Sequence, residues 1–167
     1  MSEENSGILV GEDENSVVIR IQGRGTYLNS HLLKEYLTYC LGQSCRDIQL
    51  DMVNCTYMDS TFLGMLASVG SKNLAHSLPP IKVMNPTDRI RGMLENLGIT
   101  HLFEVVKGMA VEADLKPLPS QEPDKADKSR EMLEAHEALV AVSKGNEAKF
   151  KDVIALLKEK VRKLDDK

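Results

Sequence analysis

Apolar residues along this chain follow two rhythms that change places several times. Ile8-Leu9-Val10 is a short apolar run, Gly11 to Ser16 is polar and turn-rich, and Val17-Val18-Ile19-Arg20-Ile21 is β-branched. Together they predict a β-hairpin. Helical spacing follows, with Leu33, Tyr36, Leu37, Cys40 and Leu41 on one face and Asn29 or Ser30 as the cap. Ile48 to Val53 alternates as a strand. A helix then begins near Ser60, carries Leu63, Leu66, Ala67, Gly70 and Leu74 as its buried face, and stops at Pro79-Pro80. Ile81 to Met84 is a short strand. Asn85-Pro86 predicts a helix start, with Ile90, Met93, Leu94 and Leu97 facing inward and Gly98 at the C′ position. Leu102 to Val106 is the last strand candidate. Strands alternating with helices imply an α/β fold with a mixed, mostly parallel sheet flanked by helices; the opening hairpin is the antiparallel part.

After Val106 the pattern changes. Lys116-Pro117-Leu118-Pro119-Ser120-Gln121-Glu122-Pro123 reads as an extended linker. A helical hairpin is expected beyond it. Met132, Ala135, Leu139 and Val142 form the stripe of its first helix, about Ser129 to Ser143. Gly145-Asn146 supplies the turn, and Phe150, Val153, Ile154, Leu157, Val161 and Leu164 mark the second helix. The division is therefore an α/β domain over 1–115, a Pro-rich linker over 116–128 and a C-terminal hairpin over 129–167. Two helices of this size cannot bury both stripes by themselves. They must meet the same chain's domain, a second copy or a distinct partner. The linker has no apolar run to guide a return, which favours docking in trans and leaves a homodimer through these helices open.

Charge narrows the range of partners. The chain of 167 residues has a formal charge of −4, and neither half carries the basic excess that a phosphate backbone requires. There is no Trp, and aromatic residues make up only 4%, so base-stacking platforms are not expected either. The first residues are acidic and polar, unlike a secretory signal, and no run approaches the ~18 apolar residues of a membrane span. Cys40, Cys45 and Cys55 make an odd set with no CxxC pair, as in reduced cytosolic proteins. The expectation is a cytoplasmic protein with neither a nucleic acid nor a membrane as partner. Cys40 and Cys45 do not share a helix face well, and no Cys or His set completes a metal site. Gly23-Arg24-Gly25 is too short for a nucleotide loop and fits a positive-φ turn. No cofactor is expected.

One element carries chemistry: Tyr57-Met58-Asp59-Ser60-Thr61-Phe62-Leu63-Gly64, between a strand and a helix. Asp-Ser-Thr is first of all ordinary capping chemistry. The same helix end, with free N–H groups and a partial positive charge, also stabilises an acidic or phosphorylated residue. In its setting, with strand, Asn-Pro, helix and Leu97-Gly98-Ile99 following, the unit resembles the STAS domain (sulphate transporter and anti-sigma factor antagonist) over roughly residues 8–106. The resemblance implies that Ser60 is the phosphorylation site, with Thr61 second. It also implies an anti-sigma factor antagonist in a partner-switching pathway. The partners are then an anti-sigma factor that is also a serine kinase, and a resetting phosphatase; ATP and metal belong to them. Antagonists usually read Asp-Ser-Ser/Thr-Gly-Leu-Gly and Gly-Glu-Leu-Asp, whereas this chain has Phe62 at the first glycine and Gly23-Arg24-Gly25-Thr26 at the second motif. Arg24 thus brings positive charge where an acid is usual.

Asp59, Arg24 and a face made of Phe62, Met65 and Val69 are the expected partner contacts; the alternative for that face is packing on a neighbouring helix or on the tail. Two other functions make different demands on these residues. A STAS scaffold that is never phosphorylated, acting as an accessory subunit, needs no chemistry at Ser60. A serine-nucleophile enzyme needs a base, and none of His31, His76, His101 and His136 sits in a recognisable catalytic motif.

Overall fold

The computed structural model describes residues 6–43, 47–108, 113–119 and 123–167; Cys45 and residues 120–122 of the expected linker lie outside them. Strand β1 (Gly7–Glu12) turns back into β2 (Ser16–Gly25) as the predicted antiparallel hairpin, with Asp13 Oδ1 accepting from the N–H groups of Asn15 and Ser16 in the turn. Val17, Val18, Ile19 and Ile21 are all buried, so β2 is the central strand, covered on both faces. Helix α1 (Ser30–Gly42) follows, then β3 (Asp47–Asp51), β4 (Cys55–Met58), α2 (Ser60–Ala75), β5 (Lys82–Met84), α3 (Asp88–Asn96) and β6 (Glu104–Val106). Strand β7 (Lys116–Pro117) and helices α4 (Lys125–Val142) and α5 (Gly145–Asp165) complete the chain.

The sheet runs β6-β5-β3-β2-β1-β7, and β4 pairs with the far end of β2. Pairs β2–β3, β3–β5, β5–β6 and β2–β4 are parallel, while β1–β2 and β1–β7 are antiparallel. This is the expected mixed, mostly parallel α/β sheet. Across the β2–β3 pair, Arg20 Nε donates to Asp51 Oδ2 at 2.9 Å, matching a buried acid with a half-exposed base.

Several local expectations are corrected. Strand β4 adds to the predicted strands: Cys-Thr-Tyr-Met is short and does not alternate, so no local pattern marks it. Helix α3 starts at Asp88 with Thr87 as its cap, its Oγ1 accepting from Ile90 N–H. Asn85 instead sits at φ 53° and ties its amide to both backbone groups of Gly108, so it closes a loop rather than capping a helix. Asn29 precedes α1 but caps nothing with its side chain, which bonds to Thr26 N–H and the Arg24 carbonyl. Leu74, placed on the buried stripe of α2, is exposed. Gly98 is as expected: φ is +67°, and the N–H groups of Gly98 and Ile99 close the end of α3 on Glu95 and Leu94.

The largest difference concerns the C-terminal part. The segment read as a free linker begins as β7, with Lys116 and Pro117 paired to Val10 and Leu9, and Leu118 N–H donating to the Ile8 carbonyl. Proline is tolerated there because β7 is the edge strand. Helix α4 starts at Lys125 rather than near 129, where Asp124 caps it. It then lies against α2 of the same chain, and α5 packs back on α4. The expected docking in trans is thus replaced by docking in cis. The apolar stripe finds its partner in α2, where every residue from Thr61 to Gly70 is buried.

Candidate functional site around Ser60

Ser60 is the first residue of α2, and Asp59 is its N-cap. The Asp59 carboxylate is fully used by the fold. Oδ1 accepts from Phe62 N–H and Oδ2 from Tyr27 N–H, both at 2.8 Å, while Asp59 N–H donates to the Gly25 carbonyl. One residue therefore holds the helix start, the end of β2 and the loop leading to α1. Of the two readings of Asp-Ser-Thr, capping is realised directly in Asp59, and Ser60 is left free of it.

What Ser60 does instead involves a residue 76 positions away. Its Oγ lies 2.9 Å from His136 Nε2, on α4. His136 is only 3% exposed, and its Nδ1 is 2.6 Å from the Met132 carbonyl, one turn back on the same helix. A carbonyl only accepts, so Nδ1 carries the hydrogen; in the neutral ring Nε2 is then the acceptor and the Ser60 hydroxyl the donor. The Phe150 ring of α5 meets the imidazole edge-on, 5.3 Å between centres. Sequence spacing could not pair His136 with Ser60. The one available signal was its place on α4, four residues after Met132 and three before Leu139, beside the apolar stripe.

The helices reach this distance because position 64 is glycine. A β-carbon there would collide with the backbone carbonyl and side chain of Ala135, so α2 and α4 touch through a small-residue contact next to the Ser60–His136 bond. On the flank, Glu134 meets Lys34 at 2.9 Å and Lys72 at 3.5 Å, and Glu131 lies 2.5 Å from His31 Nδ1. Burial acts to raise the Glu134 carboxyl, but the Lys34 bond and charge, reinforced by Lys72, outweigh it and leave it below its usual range.

The remaining expected site residues separate. Thr61 and Met65 are buried beneath α4, and Val69 is buried beside α1; exposures are 4% for each. Phe62, at 0%, points the other way, into the domain, where its ring lies against Gly25. The expectation that Phe62, Met65 and Val69 form one exposed partner face is corrected: α4 and the core take them up. Arg24 is exposed, with its guanidinium 4.5 Å above the Tyr57 ring; Arg89 approaches the same ring at 5.6 Å. Cys55, the first residue of β4 and paired with Gly23 of β2, has its thiol pushed up to about 11 by burial.

Residues 8–107 match the family model described as "Mlab, STAS domain". The chain belongs to the STAS family. The anti-sigma-B factor antagonist of Staphylococcus aureus (strain NCTC 8325 / PS 47) is 36% identical to it over 81 residues, which is 48% of this chain and 73% of that protein. Among solved structures, a candidate anti-sigma factor antagonist from Thermotoga maritima superposes with a TM-score of 0.52 at 14% identity, covering 60% of this chain and 85% of that one. The Bacillus cell fate determinant SpoIIAA in its phosphorylated form superposes with 0.50 at 15% identity, over 61% and 91%. These two share the fold. The match ends directly after β6, so β7, α4 and α5 lie beyond the matched STAS domain.

The two sequence departures meet in the fold: Gly25 and Phe62 touch, and a β-carbon at Gly25 would strike the Phe62 ring.

Proposed function

We propose that this STAS protein is an anti-sigma factor antagonist of a partner-switching pathway, controlled by phosphorylation of Ser60. The observation that carries the reading is the position of Ser60. It stands at the first turn of α2, behind an Asp59 cap that leaves its hydroxyl uncommitted to the helix, in a domain 36% identical to an anti-sigma-B factor antagonist. A kinase partner would transfer the terminal phosphoryl of ATP to Oγ: the Ser60 O–P bond forms, the bond to the ADP leaving group breaks, and the hydroxyl proton is released. The helix N-terminus favours the added charge of about −1.5 to −2. A partner fitted to a neutral hydroxyl would then lose affinity; a loss of ~3 kcal/mol is more than a hundredfold.

In this reading the protein works by binding and not by catalysis. The Ser60–His136 pair has the spacing of a nucleophile and base, but a backbone carbonyl, not a carboxylate, orients His136, and the imidazole is buried. A second reading, a STAS accessory scaffold without phosphorylation, is favoured by the same bond, because it engages the hydroxyl that a kinase would need. Phosphopeptide mapping after incubation with the cognate kinase and ATP separates the two. Phosphate on Ser60 is expected. Phosphate on Thr61 alone, or none, overturns the proposal in favour of the scaffold. Loss of a hydrolytic turnover in Ser60→Ala would instead establish an enzyme.

A further inference from the structure

The bond between Ser60 and His136 joins the phosphoacceptor of the STAS domain to an element outside that domain. Three features bear on what a phosphate would do there. First, the contact is short, 2.9 Å, and the imidazole that makes it is 3% exposed. A phosphoryl group puts three further oxygens where the ring now sits, or else must turn the Ser60 side chain away and break the bond. Second, phosphorylation removes the hydroxyl hydrogen. His136 Nε2, accepting in the neutral ring, would face only acceptors, with its Nδ1 hydrogen already committed to the Met132 carbonyl. Third, a like charge is already in place. Asp59, the neighbouring residue, holds its carboxylate at the same helix start, bonded to Phe62 N–H. The rest of the setting of His136 is apolar, from the Phe150 ring to the Ala135 contact at Gly64.

We propose that phosphate on Ser60 and the docked C-terminal hairpin exclude each other, so that α4 and α5 form a cis-acting cover over α2 which modification expels. The inference rests on Ser60 being the phosphoacceptor. The coupling is reciprocal: a docked hairpin opposes phosphorylation by the same factor by which phosphate opposes docking, and such factors commonly run about 5- to 150-fold. Expulsion would uncover Thr61 and Met65, giving the phosphorylated protein a binding face that the unmodified protein lacks.

The test installs the phosphate without a kinase. Full-length protein with genetically encoded phosphoserine at position 60 is compared with the unmodified chain by hydrogen exchange, and then again after phosphatase treatment. Peptides spanning 125–142 should exchange at least roughly fivefold faster in the phosphorylated chain, with β2 and β3 unchanged, and should recover on dephosphorylation. Equal or slower exchange across α4 overturns the proposal; slower exchange would mean that His136 clamps the phosphate. Loss of protection in the sheet as well also overturns it, because the hairpin would then be an integral part of the domain. In parallel, His136→Ala in the unmodified chain should loosen the same peptides. Because no kinase is involved, a negative result here leaves the assignment of Ser60 as phosphoacceptor standing, and failed phosphopeptide mapping leaves the measured coupling standing.

Discussion

Gly64 and Ala135 are in backbone-to-backbone contact, and this contact sets how closely α4 approaches α2. It lets two opposing effects be weighed at one position. Glycine inside a helix costs about 1 kcal/mol relative to alanine, so Gly64→Ala should strengthen α2 taken alone. A methyl group forced against the Ala135 carbonyl should cost about 1–3 kcal/mol. Overpacking is expected to win: thermal unfolding of Gly64→Ala should show a lower midpoint than wild type, and α4 should become more sensitive to protease. A raised midpoint with intact α4 would show that the helices separate at no cost.

Leu139 is fully buried on α4, and Asn146 joins the hairpin to the domain by donating from Nδ2 to the carbonyls of Leu97 and Leu139, both at 2.8 Å. Leu139→Ala should destabilise by about 2–5 kcal/mol, and Asn146→Ala, which takes a donor from the Leu97 and Leu139 carbonyls, by about 1–3 kcal/mol. Denaturant unfolding of the two variants checks the order. Equal, negligible effects would show that the hairpin contributes nothing to stability.

Replacing Asp59 by alanine removes both of its hydrogen bonds at once. A lost cap costs typically ~1 kcal/mol, up to about 2, and the bond to Tyr27 N–H adds to it. The expected outcome is a total of roughly 2 kcal/mol with faster amide exchange at both Phe62 and Tyr27. If only Phe62 responds, the two ends of the carboxylate are not coupled.

Glu134 gives hairpin docking a sign with pH. Its carboxyl is held below the ordinary 4.5 in the folded chain, mainly through Lys34 and Lys72 working against burial. A depressed carboxyl stabilises above its unfolded pKa, and that contribution is lost as pH falls through the folded value. Protection of α4 should therefore weaken below about 4.5. Glu134→Gln should flatten the Glu134 part of this dependence. An unchanged profile in Glu134→Gln would assign the whole effect to other groups.

Cys55 should resist alkylation at neutral pH. Its thiol is buried and pushed up to about 11, so iodoacetamide labelling of the Cys55 peptide should rise only as pH approaches that value. Rapid labelling at pH 7 would mean that β4 opens readily.

Much of this was readable from the chain. The β2 strand announces itself through Val17 to Ile21, the start of α2 through Asp59, and the end of α3 through Gly98, because each is decided by local chemistry. Strand β7 is two residues long and contains a proline, so nothing local marks it; pairing with Leu9 and Val10 creates it. The cis docking of α4 was hidden for a similar reason. Amphipathic stripes state that a partner exists, but the partner is chosen by the fit of Gly64 to Ala135 and of Lys34 and Lys72 to Glu134, which only the folded chain brings together.

The strap made by Lys116 and Pro117 on β1 has a kinetic meaning. It pins the chain to the sheet edge only a few residues before α4 begins. A hairpin released from α2 would remain on a short leash, and short tethers hold their ends at effective concentrations in the millimolar range. Any outside helix competing for the same face of α2 must outbind a rival that never diffuses away. A modest partner would therefore be refused until the hairpin is weakened, and the threshold could be tuned by tether length alone without altering a single contact at Ser60.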